Sequence, residues 1–143
     1  SIDSLTYYFS LSFKSTTFEI TTAPFDALKE FGLNNLSNDS LKVEMQALYD
    51  VDYPLYRSVL NFYNDLLDLA FVKGENYFED WYLFGKKMRP YNIKTLKKDR
   101  PFLFSLARLR SVTLISIEVS QRLYKKQSKI LEMHNIELLS HNE

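Results

Sequence analysis

Residues 21–49 read TTAPFDALKEFGLNNLSNDSLKVEMQALY, in which a helix start, a glycine stop, a short turn and a second helix start follow one another closely. Thr21 or Thr22 offers a hydroxyl for the N-cap, Pro24 suits the first turn because that turn needs no amide donor, and Asp26 lies near the positive end of the helix dipole. The pattern predicts a helix over Ala23 to Phe31. Gly32 is expected to end it in a left-handed conformation, so that Gly32→Val should destabilise. Asn34 and Asn35 prolong the turn, Ser37 or Asn38 caps the next helix, and Leu41 is its first apolar contact.

Downstream, apolar residues fall at Leu41, Met45, Leu48, Leu55, Val59, Phe62, Leu66 and Leu69, in alternating steps of four and three with Asp52 in the one polar slot. Pro54 lies inside this stripe and cannot donate to the carbonyl four residues back. Two readings follow: one kinked helix, or a break at Tyr49 to Asp52 with Asp52 capping a new helix. Lys73 and Gly74 end the element. Glu75 to Lys87 is crowded with aromatics, and helical spacing would put Phe78, Trp81 and Tyr82 on one face. Arg89 to Asn92 reads as a turn. Asp99 caps a last helix with Pro101 in its first turn, and no breaker follows until about Leu139, which at ~1.5 Å per residue gives a rod of roughly 60 Å. Thr113, Ser116 and Ser120 form a strip of small side chains on it, suited either to close approach of another helix or to solvent. Asp3 to Phe13 is a short helix, and Thr16 to Thr22 an extended connector.

Three glycines and four prolines in 143 residues leave little turn material. The fold class expected is therefore all-α: a single domain, an antiparallel bundle of four or five helices with one long C-terminal helix. The longest apolar runs stop well short of the ~20 residues that a membrane span needs. The chain begins at Ser1 with neither a methionine nor a charged-then-apolar leader, and the expectation is a processed piece of a longer product.

Leu28-Lys29, Gly32, Leu33, Leu36, Asn38, Leu41 and Tyr49 together resemble the Leu-Lys, Gly, Leu, Ile, Asn, Leu signature of a family of Bacteroidota proteins of unknown function. The likeness covers residues 21–49. This chain has Phe31 where a small residue is common and Leu36 where Ile is usual, and it lacks the family's N-terminal membrane helix. The resemblance implies a membrane-anchored protein whose helical part faces the periplasm. It brings no catalytic residues.

Charge is the second informative feature. Residues 1–80 hold 13 acids and 5 bases, and residues 81–143 hold 5 acids and 13 bases, so a net charge of zero hides a difference between −8 and +8. The plain consequence is acidic helices lying beside a basic last helix. The sharper one is an anion-binding loop made by Lys86, Lys87, Arg89, Lys94, Lys97, Lys98 and Arg100. Nucleic acid is disfavoured, because the whole chain is near neutral and the pattern matches no groove-binding fold.

Catalytic patterns are missing from the sequence. There is no cysteine, no nucleophile elbow and no phosphate-binding glycine loop, and the acid pairs Glu79-Asp80 and Asp50/Asp52 read as surface charges. His134 and His141 lie near the end of the chain; Glu137 and His141 supply two metal ligands at most, and a solvated tail is the expectation there. No cofactor or metal is expected. Aromatic residues make up 15% of the chain and suggest core packing or a ligand pocket, and for a pocket the candidates are Tyr56, Tyr63, Tyr77, Trp81 and Tyr82. The functional expectation is a non-catalytic extracytoplasmic helical domain, of sensory or scaffold type, acting by protein or small-ligand contact, with homo-oligomerisation open. The alternative is an intracellular adaptor that binds anionic surfaces through Lys86 to Arg100.

Overall fold

A computed structural model of the chain describes residues 2–79 and 88–140. Trp81, Tyr82, Lys86, Lys87 and His141 lie outside the described residues. The fold is all-α. Helices α1 (Ile2–Ser12), α2 (Ala23–Phe31), α3 (Asp39–Ala47), α4 (Tyr53–Gly74), α5 (Ile93–Leu96) and α6 (Arg100–Ser140) follow in chain order; α3 passes into α4 through one wider turn, and α6 is the long C-terminal helix. Among the described residues no helix is long and apolar enough to cross a membrane. The contacts fall into two compact units, Ser1–Thr17 with Leu60–Leu114 and Phe18–Val59 with Ile115–Glu143.

In the first unit α4 and α6 run antiparallel: Gly74 at the end of α4 faces Phe102 at the start of α6, while Tyr63, further back on α4, meets the level of Leu109 and Thr113. Phe13, Leu67, Ala70, Phe78, Met88 and Phe102 are buried in its core. Gly74 is required by close approach, since a Cβ there would lie 2.7 Å from the Phe102 ring. The Thr16 backbone is tied to α4 by the Asn64 amide, which receives its N–H at 3.3 Å and donates to its carbonyl at 2.8 Å. One side chain thus pairs both backbone groups of Thr16, which lies outside any helix.

Phe78 is extended rather than helical. After a 3₁₀ turn over Glu75–Tyr77 it pairs antiparallel with Pro90, flanked by Glu79 N–H donating to the Arg89 carbonyl (2.8 Å) and Tyr91 N–H donating to the Tyr77 carbonyl (2.9 Å). This corrects both the aromatic helix through Phe78 and the turn over Arg89 to Asn92. Pro90 takes the position of the pair that makes no ladder bond, so its missing donor costs nothing, and Arg89 before it is biased to extended backbone. Met88, fully buried beside this bridge, donates its N–H to Ser10 Oγ at 3.1 Å, and Ser10 in turn donates to the Thr6 carbonyl. The inward face of α1 therefore carries Thr6 and Ser10 as well as Phe13, and Tyr8 points outward.

The second unit contains residues 21–49. Helix α2 has the expected bounds, and Pro24 is in its first turn. Its N-cap differs: Thr22 has helical backbone angles and makes no side-chain cap, so its carbonyl alone receives Phe25 and Asp26 at 2.9 Å. Gly32 is not left-handed, having φ −155°. A Cβ there would meet only Leu28, at an ordinary 3.4 Å, so the expected penalty of Gly32→Val loses its basis. The chain leaves through a 3₁₀ turn over Leu33–Asn35, and Asn38, not Ser37, caps α3 by accepting from Leu41 N–H at 3.1 Å.

At Pro54 the chain neither breaks nor continues as plain α-helix. Leu48–Asp52 form one π turn, closed by Tyr53 N–H on the Leu48 carbonyl, and Pro54 follows as the second residue of α4. A π turn inserts one extra residue into the winding. The expected stripe is accordingly displaced: Leu55, Phe62 and Leu69 are exposed, Leu66 is buried and Val59 half-buried as expected, and Tyr56, Leu60, Tyr63, Leu67 and Ala70 join the inward side. Asp52 is no cap. It accepts from Lys126 on α6 at 2.5 Å, and Glu44 receives Lys129 at 2.6 Å and Lys126 at 3.6 Å. Glu137 is buried and accepts the Ser37 N–H (2.7 Å) and hydroxyl (2.6 Å), which overturns the solvated-tail expectation at that position. These ties, running from Ser37 to Asp52 against Glu137 to Lys126, make the packing antiparallel here too.

Candidate functional site

The first unit carries an open groove of about 460 Å³ walled by α1, α4 and α6. Tyr8 and Leu11 come from α1, Tyr63 from α4, and Leu106, Leu109 and Leu114 from α6. Helical spacing explains the α6 wall: 106, 109, 110, 113 and 114 recur at three and four residues and form one flank of the helix. Leu109 is core, whereas Tyr8, Leu11 and Leu114 are exposed on the rim.

Polar groups in the groove are mostly committed to the backbone. The Tyr63 hydroxyl donates to the Lys14 carbonyl at 2.8 Å, Ser12 Oγ to the Tyr8 carbonyl at 2.8 Å and Thr113 Oγ1 to the Leu109 carbonyl at 2.8 Å. Burial pushes the Tyr63 phenol above its usual pKa, so it stays neutral. The exposed Tyr8 hydroxyl and the exposed guanidinium of Arg110 are further donors in the lining, and among the described residues no acid lines the groove. Such a surface takes up apolar groups and orients a negative charge at one edge. It offers no nucleophile paired with a base. Among the described residues no group of three or more His, Cys, Asp or Glu converges as a metal site.

The structure disperses the aromatic pocket candidates. Tyr63 lines the groove. Tyr56 belongs to the second unit, where it packs edge-on against Phe18 with ring centroids 4.6 Å apart. The Tyr77 hydroxyl donates to the Asp99 carboxylate, which also caps α6 by accepting Phe102 N–H at 2.8 Å. The Tyr77 hydrogen bond is the main cause that holds Asp99 below the usual carboxylate pKa, and it raises Tyr77 in turn. Tyr8, Leu11, Arg110 and Leu114 were not singled out from sequence. Only the pairing of α1 with the 106–114 stretch of α6 makes them a site.

The described members of the basic segment, Arg89, Lys94, Lys97, Lys98 and Arg100, are all exposed. Part of this expected loop is the one-turn helix α5, whose cap Asn92 accepts from Lys94 and Thr95 N–H at 3.0 and 3.2 Å. His134 is exposed on α6.

Fold and site together define an all-α protein with an open, largely apolar groove that carries Arg110. Comparison with protein-family models, with curated proteins and with solved structures gave no match.

Proposed function

We propose that this chain is a non-catalytic helical domain that acts by contact, as a sensor or scaffold, and that the groove between α1, α4 and α6 receives an amphipathic partner helix. The observation that carries this reading is the lining itself, largely apolar on three walls, with Arg110 as its one ionic group among the described residues. An open groove suits a helix better than a small molecule, because small-ligand sites bury most of their ligand whereas a helix needs only one face covered. Arg110 favours a partner with an acidic residue beside its apolar stripe.

The resemblance over residues 21–49 adds to this proposal a membrane-anchored protein with its helical part in the periplasm. A basic cluster followed by ~20 apolar residues upstream of Ser1 supports that addition, and a polar upstream sequence removes it.

The contact itself is tested by titrating the labelled chain with amphipathic helical peptides that differ only in an acidic or a basic flank. Saturable NMR shifts at Leu11, Thr113 and Leu114, stronger with the acidic peptide and lost in Leu114→Glu, are expected. Shifts absent from the groove, or unchanged by Leu114→Glu, would overturn the proposal.

A further inference from the structure

We infer that α5 and the first turns of α6 form a basic and apolar patch that docks on an anionic lipid bilayer. This inference is independent of the groove.

Between Asp80 and Glu118 the sequence contains a single acid, Asp99, among nine Lys and Arg residues. The fold occupies that acid's oxygens, since one receives the Phe102 amide and the other the Tyr77 hydroxyl. Lys94, Lys97, Lys98 and Arg100 around it are exposed, which leaves a local charge of +3 when Asp99 is counted against the four. The lysines are not on a loose loop. Leu96 is buried in the core cluster, Asn92 caps the turn, and Lys98 and Asp99 amides close on the Thr95 and Leu96 carbonyls at 3.0 and 3.2 Å.

Beside this charge stand large apolar side chains turned to solvent: Tyr91 and Phe104 are each 65% exposed, and Leu103 is exposed too. Arg100, Leu103 and Phe104 share one face of α6 by their spacing of three and four. Phe104 also walls a shallow depression of about 270 Å³ with Phe62 and Arg108. Lysines that meet phosphates, next to a tyrosine, a phenylalanine and a leucine that can enter the headgroup boundary, are what an anionic bilayer surface accepts. Nucleic acid would use the charge and stack on the aromatics, but it gives Leu103 no role.

The test is sedimentation of the full chain with phosphatidylcholine vesicles, with and without phosphatidylglycerol, and with a short single-stranded RNA as competitor. Circular dichroism checks that each variant is folded. Binding is expected only to the anionic vesicles and weakens with added salt. Combining Lys94→Gln, Lys97→Gln and Lys98→Gln is expected to weaken it about 100-fold, from the near-surface attraction of three lysines. Phe104→Ser, with its charge unaltered, is expected to weaken it about tenfold. Equal binding by the triple variant and the parent overturns the inference. So does an RNA affinity above that for vesicles with Phe104→Ser silent, which would mark a plain polyanion surface.

Discussion

The two units differ in the ties that hold them. The first closes around rings and aliphatic side chains, with Phe102 seated against a glycine and Phe9 and Phe13 meeting Phe78 edge-on at 5.0 and 6.4 Å between centroids. The second has ring contacts too, Phe25 stacked on Tyr49 at 4.1 Å and Phe18 against Tyr53 and Tyr56, and adds ionic and polar ties over long range: Lys126 to Asp52 and Glu44, Lys129 to Glu44, Ser37 to Glu137. Side chains of Lys126 and Asp52 are only 21% and 19% exposed, so this pair is better shielded than an ordinary surface bridge. The acidic first half and basic last helix thus meet in the second unit as the charge pattern suggested. The glycine-seated ring packing lies in the first unit and the shielded Lys126–Asp52 pair in the second.

That contrast is broken most severely at the glycines. Gly74→Ala forces a methyl toward the Phe102 ring and is expected to cost about 2 kcal/mol, whereas Gly32→Ala, which meets Leu28 at ordinary contact distance, should change stability by less than about 0.5 kcal/mol. Denaturant midpoints of the two variants measure the difference; equal midpoints would show that Phe102 swings aside without loss.

A smaller effect is expected at Ser37→Ala in the second unit. It removes the hydroxyl donor from the buried Glu137 carboxylate but leaves the Ser37 amide, and about 1.5 kcal/mol should be lost. Amide exchange should quicken around α3 and the end of α6 while the Phe102 region stays protected. Uniform acceleration would mean that the two sets of ties are not separable.

Acid sharpens the comparison last. Asp99 in the first unit, through the Tyr77 hydroxyl, and Glu44 in the second, through Lys129, both have folded pKa values below those of free carboxylates. A depressed carboxylate stabilises the fold above its unfolded pKa and loses that contribution as pH falls through the folded value. Tyr77→Phe should raise the Asp99 midpoint in an NMR titration and leave Glu44 where it is. A Glu44 midpoint that moves with it would contradict the independence of the two sites.

Much of the fold was legible in one dimension because helix ends carry local chemistry. Pro24 and the Ala23–Phe31 bounds, the Asn38 cap, Asp99 with Pro101, and the uninterrupted run of α6 all follow from residues within a turn of one another. The site was less legible. Tyr63 was chosen for being aromatic near an apolar stripe, yet the residues beside it in the groove, Tyr8, Leu11 and Arg110, belong to segments far from it in sequence. The displacement of the stripe after Leu48 had no local mark except Pro54, and it shifts the buried side of α4.

The sequence by itself determined the all-α class, the Asn38 and Asp99 caps and the polarity of charge, since each depends on backbone propensity, near-neighbour hydrogen bonds or simple composition. Tertiary structure alone decided that Phe78 pairs with Pro90 instead of winding, that Glu137 is a buried acceptor rather than part of a solvated end, and that α1 and α6 leave a groove between them. Those outcomes depend on which distant surfaces exclude water from one another, and burial is a property of the packed chain that no local spacing encodes.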